Sequence, residues 1–291
     1  MRALAIIGFL AAASTAQAQS GAAWLGYSTG ARNLAEAGGL GSMAQGADGL
    51  GLNPAALADL SGNGEVDASY SLWPGDISVQ HGEAAVRTGL GVLGVHGSWV
   101  DFGNIGSYAV GQTVEATGGS TNPHASDVGL GLGGHISRLA LGVSGHMVMQ
   151  DLTGQGTSSV MAFDAGARMD LLPTVTAAVS LLNLGGSLDG SSLPTAVRGG
   201  LAVRAAHDGG WELGVEASDP LAGGGSDFLA AFRYQVARVL TLRTGWLQGQ
   251  GITGAWSMGV SFQLGVVGLD YGFRQMSGFD PINSFTLSLL W

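Results

Sequence analysis

The chain has 291 residues, among them 52 glycines, no cysteine and no lysine, and its formal net charge is −10 at pH 7. The lack of cysteine excludes disulfides, and the acidic balance argues against nucleic acid as a partner. Charged residues make up only 11% of the chain, whereas roughly a quarter is usual in soluble domains. A broad surface that faces lipid would account for this deficit of charge.

The chain begins with the features of a secretory signal peptide. Met1 and Arg2 precede an apolar run over residues 3–13, and the Ala-Gln-Ala sequence at 16–18 has small residues where a signal peptidase reads them. The apolar run is too short to span a bilayer, and without cysteine no lipid anchor can form at the new N-terminus. We therefore expect residues 1–18 to be removed on export.

Residues 19–64 differ from the rest of the chain because they lack an alternating pattern. Small residues, including six glycines, dominate residues 31–60. Asn53 is a favoured N-cap residue and Pro54 follows at the first helical position, so a short helix through Leu60 is predicted. The segment is expected to form a compact, irregular piece.

Beyond this segment, large apolar residues recur at every second position, which is the period of a β-strand. Fifteen such stretches cover residues 65–72, 76–87, 90–101, 105–116, 125–137, 139–151, 158–169, 174–183, 195–206, 210–218, 227–237, 239–248, 254–264, 266–275 and 282–291. Their connections alternate between very short ones, as at Leu139 and Gly265, and longer ones, as at 184–194. Short periplasmic turns and longer outer loops are typical of bacterial membrane barrels.

The alternation by itself fits either a soluble sheet or a transmembrane barrel with lipid outside and a polar lumen. The leader, aromatic residues near strand ends and the terminal Trp291 favour the barrel. A helical membrane protein is disfavoured, because the longest uncharged run, residues 171–188, contains Pro173 and alternates as a strand. Such barrels have even strand numbers, so one stretch is expected to be a bulged fragment or to lie outside the wall. The predicted fold is an all-β transmembrane antiparallel barrel of about 14 strands over residues 65–291.

In the last strand, large apolar side chains occupy every second position and therefore share one face. They are Phe285, Leu287, Leu289 and Trp291. A final strand that ends on an aromatic residue is similar to the assembly signal of bacterial outer-membrane barrels. The expected location is therefore the bacterial outer membrane, and the expected partners are its lipid and the barrel assembly machinery.

The strand positions between the large apolar residues hold small and charged residues, which are predicted to face the lumen. Glycines there, such as Gly129, Gly131 and Gly133, would make room for a plug or let tilted strands curve. The charged residues at these positions are Arg198, Arg204, Glu212, Glu216, Arg233, Arg243, Asp270 and Arg274. They could line a path for a carboxylate head group, or they could form structural ion pairs between wall and plug. We prefer the structural interpretation.

The sequence gives no sign of enzymatic chemistry. Its six histidines, His81, His96, His124, His135, His146 and His207, show none of the short spacings of zinc sites. Only His135 and His146 are placed where they could face each other across a hairpin. No Gly-x-Ser-x-Gly motif stands between a strand and a helix, and no glycine-rich phosphate loop precedes a helix. We therefore expect no metal, no cofactor and no enzymatic activity.

Several motifs in order resemble the PorV/PorQ outer-membrane proteins, which are similar in fold to the FadL fatty-acid transporters. They are Gly30-Ala31-Arg32-Asn33-Leu34, Gly38-Gly39, Asn53-Pro54-Ala55, Leu182-Asn183-Leu184-Gly185-Gly186, Leu193-Pro194, Arg198-Gly199-Gly200-Leu201, Leu269-Asp270-Tyr271 and Ser284-Phe285-Thr286-Leu287-Ser288-Leu289. The resemblance implies a 14-stranded barrel whose lumen holds the N-terminal segment, with Asn53, Pro54 and Ala55 in that plug. The chain departs from the family pattern in its short outer loops and in Leu52, where the family has Trp or Tyr.

Two functions follow from this resemblance. In the first, the barrel is a passive transporter that binds a hydrophobic or amphipathic molecule near the plug and releases it by plug movement or a side opening. In the second, it is an accessory barrel of a type IX-like secretion system that binds exported protein cargo or partner subunits. The short outer loops favour the first function, or a barrel whose role is only structural, because binding a protein partner needs a large outer surface.

Overall fold

The computed structural model describes residues 21–291 except 28–29, 111–113, 155, 206–209, 222, 224 and 250–251. The expected signal peptide, residues 1–18, and His207 therefore lie outside the described residues. Among the helices in the described part of the chain, none is long and apolar enough to cross a membrane.

The described residues form 18 strands. They are β1 (Gly64–Trp73), β2 (Ile77–Thr88), β3 (Gly91–Asp101), β4 (Ile105–Val110), β5 (Val114–Thr121), β6 (His124–Ile136), β7 (Leu139–Asp151), β8 (Ser158–Leu172), β9 (Val175–Gly185), β10 (Ser187–Leu188), β11 (Ser191–Ser192), β12 (Ala196–Arg204), β13 (Trp211–Pro220), β14 (Asp227–Ala237), β15 (Leu240–Gly249), β16 (Ile252–Leu264), β17 (Val267–Arg274) and β18 (Ile282–Leu290). Fourteen of them close into an antiparallel barrel in the order β1-β18-β17-β16-β15-β14-β13-β12-β9-β8-β7-β6-β3-β2. The predicted fold class is confirmed.

The remaining four strands form two small hairpins, β4 with β5 and β10 with β11. The interpretation of residues 105–116 as one strand was wrong, since this stretch is divided between β4 and the start of β5. The physical reason is that an alternating pattern identifies an extended segment but not the strand with which it pairs. This stretch is therefore the one that lies outside the wall.

The two faces of the wall differ in polarity as the alternation predicts. In β18, Phe285 is 55% exposed on the outer surface, whereas Ser284, Thr286 and Ser288 are buried on the luminal side. The terminal Trp291 continues this strand, because its carbonyl accepts hydrogen bonds from the backbone amides of residues 63 and 64. A belt of large apolar side chains on the outer surface is suited to lipid.

The barrel has two different ends. At the end that we call the turn end, the strands are joined by two-residue turns at 89–90, 137–138, 173–174, 238–239 and 265–266, with one longer connection at 205–210. At the opposite loop end, the connections include 102–123, 152–157, 186–195, 221–226 and 275–281. The predicted tight turn near Gly265 is confirmed. The long connections all lie at the loop end except 205–210, but the predicted alternation is not strict, since β1 joins β2 at the loop end through residues 74–76 alone.

Most of the described residues of 21–63, which we call the plug, are buried inside the barrel. They contain the α-helix α1 (Ala31–Ala35) and three 3-10 helices, Ala23–Gly26, Gly46–Gly49 and Pro54–Asp59. The predicted cap is present, since Asn53 Oδ1 accepts a hydrogen bond from the Ala55 amide at 3.0 Å and Pro54 opens the helix. The largest fully buried side chains of the plug are Leu34, Leu40, Met43, Leu50 and Leu57. The hydrophobic core therefore sits in the lumen, between plug and wall.

Luminal glycines allow the plug to approach the wall closely. A β-carbon on Gly142 would overlap with the Pro54 backbone, and one on Gly272 would overlap with Ala31. Gly131 and Gly133 similarly leave room for Leu50 and Leu57. The prediction that luminal glycines make room for a plug is confirmed at these positions.

The contact at Gly142 gives a test of plug packing. We expect Gly142→Ala to destabilise the docked plug by about 1–3 kcal/mol, because overpacking a close contact forces backbone shifts. The measurement is the rate at which a protease cleaves residues 21–63 in the folded barrel. Gly134→Ala is the matched control, since a β-carbon there meets nothing within 4 Å. Equal cleavage of the two variants would contradict the proposed fit.

Candidate functional site

A cavity of about 270 Å³ lies in the lumen between the start of the plug and the wall. The plug closes one side of it with Trp24, Leu25 and Tyr27, while Val79 and Val100 of the wall line the other side. Trp24 is buried in an apolar cluster that includes the loop-end residues Leu188 and Leu193, and Tyr27 stacks on Trp73 with ring centroids 4.2 Å apart. Burial raises the pKa of the Tyr27 phenol above its ordinary value, so this lining carries no charge at neutral pH. The loop-end side of the cavity is therefore suited to an apolar molecule.

The opposite side of the cavity is polar. It is lined by side chains from five adjacent strands, His81, Glu83, His96, Ser98, Asp127, His146 and Asp164. Asp127 bonds both His96 Nε2, at 2.9 Å, and His146 Nδ1, at 2.7 Å. His81 bonds Glu83 at 3.1 Å and Ser98 at 2.8 Å. The cavity is thus amphipathic, with an apolar part and a hydrogen-bonding part.

A β-bulge in β9 brings two consecutive residues to the cavity. Leu182 and Asn183 both line it, which regular alternation forbids. The pairing of β8 with β9 shifts register here, and Asn183 has a positive φ of 56°. The Asn183 amide donates to Asp164 Oδ1 at 2.7 Å, and its side chain donates to the Pro194 carbonyl at 3.2 Å. Bulges of this kind redirect side chains beside binding sites.

Most of the predicted luminal charges hold the plug rather than line a path. Arg198 pairs with Glu216 at 2.6 Å and donates to the Gly39 carbonyl of the plug at 2.7 Å. Arg233 and Arg243 both pair with Glu36 of the plug, at 3.3 and 2.9 Å. Of the eight predicted charges, only Arg198 lines the cavity among the described residues.

The other predicted charges lie farther from the cavity. Glu212 pairs with Arg233 at 3.3 Å, and Arg274 is buried in the wall. Arg204 pairs with Asp170 at 3.2 Å near the turn end, where both side chains are largely exposed. These positions give no continuous line of arginines through the lumen.

One arginine of the plug, Arg32, is surrounded by carboxylates. It lies 2.8 Å from Asp48, 2.5 Å from Asp67, 3.3 Å from Glu65 and 3.8 Å from Asp270. Burial alone would lower the pKa of Arg32, but the four carboxylates raise it well above its ordinary value. Burial raises the pKa of the Asp48 carboxyl to about 8, although Arg32 opposes this shift. A single guanidinium therefore joins α1 to the wall strands β1 and β17.

Sequence reasoning missed the polar side of the cavity and was wrong about one histidine pair. His135 and His146 do not face each other, since β6–β7 pairing places His135 opposite Ala140 and His146 opposite Gly129. Gly129 also pairs with His96. The signal that could have found this cluster is that the histidines occupy lumen-facing positions of their strands. The sequence does not give the register between strands, however, so it could not show which of them meet.

Comparisons with known proteins identify the fold. No family model and no curated protein sequence matches the chain. The toluene transporter TbuX of Ralstonia pickettii is similar with a TM-score of 0.66 at 11% identity, over 91% of this chain and 98% of that chain. The toluene transporter TodX of P. putida gives 0.66 at 12% identity, over 91% and 99%, and the monoaromatic hydrocarbon channel CymD gives 0.65 at 10% identity, over 91% and 98%. At these identities the likeness establishes a shared barrel fold.

Proposed function

We propose that this chain is a bacterial outer-membrane barrel that acts as a passive, non-enzymatic channel for hydrophobic or amphipathic small molecules. The observation that carries the proposal is the amphipathic cavity, which Trp24, Leu25 and Tyr27 of the plug close against the wall. The outer belt of large apolar side chains supports insertion into lipid. The fold shared with solved toluene transporters supports transport of apolar molecules.

The size of the cavity sets the size of the ligand. A dry apolar cavity of about 150 Å³ is large enough to bind benzene, so a volume of about 270 Å³ admits a molecule with one aromatic ring or a short aliphatic chain. Val79 and Val100 would contact its apolar body. The histidines and carboxylates opposite would bond a hydroxyl or another polar substituent.

The position of the plug suggests a route. The cavity lies near the loop end, and the plug fills the lumen from there to Gly64, where β1 begins at the turn end. A ligand would therefore enter from the loop end and leave only by movement of the plug or through a side opening. The bulge at Asn183 interrupts the pairing of β8 with β9 beside the cavity, so a side opening there would break few hydrogen bonds.

The alternative function is that of an accessory barrel in a type IX-like secretion system. It is supported by the resemblance of the sequence motifs to PorV/PorQ proteins. In that case the binding surface would be formed by loop-end segments such as the β4–β5 hairpin, and exported cargo protein would be the ligand. Copurification of a stoichiometric protein partner from the native outer membrane, without small-molecule adducts, would favour this alternative.

A cavity-filling substitution tests the channel proposal. Ala196 lines the cavity on β12, so we expect Ala196→Trp to weaken toluene binding by at least about tenfold, because the added ring occupies the space of the ligand. Binding can be measured by headspace partition of toluene into detergent-folded protein. The matched control is Val203→Trp on the same strand, whose side chain is 39% exposed on the outer surface. Undetectable toluene binding in the unmodified protein, or equal binding by both variants, would contradict the proposal.

A further inference from the structure

Three potential metal ligands converge on the polar side of the cavity from adjacent strands. His96 lies on β3, Asp127 on β6 and His146 on β7, and all three side chains are buried on the luminal face. The register explains the convergence, because Gly129 pairs with His96 on one side and with His146 on the other. Asp127 lies two residues from Gly129 and therefore on the same face of β6.

The side chains are close enough to share one ion. One ligand atom from each residue lies within 4.8 Å of the other two. A β-carbon at Gly129 would overlap with the ring of His96 and with the β-carbon of His146, so glycine at this position leaves room for both histidine side chains. The rings of His96 and His146 are 6.0 Å apart between centroids.

The cluster also has unused donor atoms. Within the described residues, His96 Nδ1 and His146 Nε2 have no hydrogen-bond partner, although both side chains are more than nine-tenths buried. His146 Nε2 lies 3.6 Å from Asp164 Oδ2, beyond hydrogen-bond distance. Buried polar atoms are nearly always satisfied, and an exception can mark a group whose role is to bind an ion.

We propose that His96, Asp127 and His146 form a binding site for a divalent first-row transition-metal ion. Two imidazole nitrogens and one carboxylate oxygen suit Zn²⁺, Co²⁺ and related ions, and three protein ligands leave a coordination position open toward the cavity. The site shares the cavity of the proposed channel, but its existence does not depend on hydrocarbon transport.

The test uses the full-length protein, folded in detergent, purified without a polyhistidine tag and treated with a chelator. We expect Co²⁺ to bind with a stoichiometry of one per chain, to produce visible d–d absorption bands and to be displaced by Zn²⁺. Asp127→Asn and His146→Gln should each weaken binding by more than about tenfold. His135→Gln is the matched control, because His135 pairs with Asp59 away from the cluster.

A gel-shift comparison of boiled and unboiled samples first shows whether the variants are folded. Metal binding by the folded variants then decides the proposal. Loss of binding in Asp127→Asn and His146→Gln, with retention in His135→Gln, supports the site. Absence of specific Co²⁺ binding, or equal binding by all variants, overturns it and leaves a hydrogen-bonded network. Toluene binding by a protein that takes up no metal would overturn this site alone and leave the channel proposal standing.

Discussion

Replacing Arg32 with alanine is expected to release the plug from the wall. The substitution leaves Asp48, Asp67, Glu65 and Asp270 close together without the guanidinium that they share. Removing one partner of a buried ion pair costs about 3–5 kcal/mol, because the remaining charge is left uncompensated. The measurement is the urea midpoint for release of residues 21–63, followed by protease cleavage. Arg204→Ala is the control, since its exposed pair with Asp170 contributes about 0–1 kcal/mol.

The effect of Arg32→Ala should depend on pH. The pKa of Asp48 in the docked plug is raised to about 8, so the docked state binds a proton that the released state, with an ordinary carboxyl, gives up. The contribution of Asp48 to the stability of docking is therefore fully present below the ordinary pKa of aspartate and is lost as pH rises through about 8. Without Arg32 the carboxylates repel each other more strongly, so the variant should lose more stability than the unmodified protein between pH 5 and 8. Equal urea midpoints for Arg32→Ala and Arg204→Ala across this range would show that the cluster does not hold the plug.

Replacing Asn53 and Pro54 together with alanine is expected to loosen the plug and raise the leakage of small solutes. Asn53 caps the 3-10 helix and also donates to the carbonyls of Val179, at 3.2 Å, and Ala167, at 3.4 Å. Loss of the cap costs about 0.5–2 kcal/mol, and each lost hydrogen bond costs about 1 kcal/mol more. The ring of Pro54 also lies close to Gly166 of the wall, a contact that alanine would not make. The double variant therefore weakens three contacts between plug and barrel.

Leakage can be measured by the swelling of liposomes in sugar solutions, with protease cleavage of residues 21–63 as a second readout. Gln45→Ala is the control, because Gln45 is an exposed residue of the same plug. We expect the double variant to swell faster and to be cleaved sooner than this control. Unchanged permeability together with unchanged cleavage would show that Asn53 and Pro54 do not secure the plug.

The two substitutions separate two ways of holding the plug. Arg32 fixes α1 to the wall by charge, so its effect should vary with pH. Asn53 fixes the 3-10 helix by hydrogen bonds to backbone carbonyls, so its effect should be nearly independent of pH. A common response of the two variants to pH would contradict this division.

The sequence by itself determined the strands and their faces. Alternation in β16, β17 and β18 identified them because the side-chain period of a strand follows from local backbone geometry. The N-cap at Asn53 was also local, since its side chain bonds an amide two residues away. The even strand number of closed barrels then reduced fifteen stretches to the observed fourteen wall strands.

Only the tertiary structure decided which side chains meet. His96 and His146 are 50 positions apart in the chain, and the register of β3, β6 and β7 places both beside Gly129. Arg32 and Asp270 meet because the plug folds back into the lumen, and the bulge at Asn183 appears only in the pairing of β8 with β9. The physical reason is that strand period is a property of neighbouring residues, whereas register depends on hydrogen bonds between segments that are distant in the sequence.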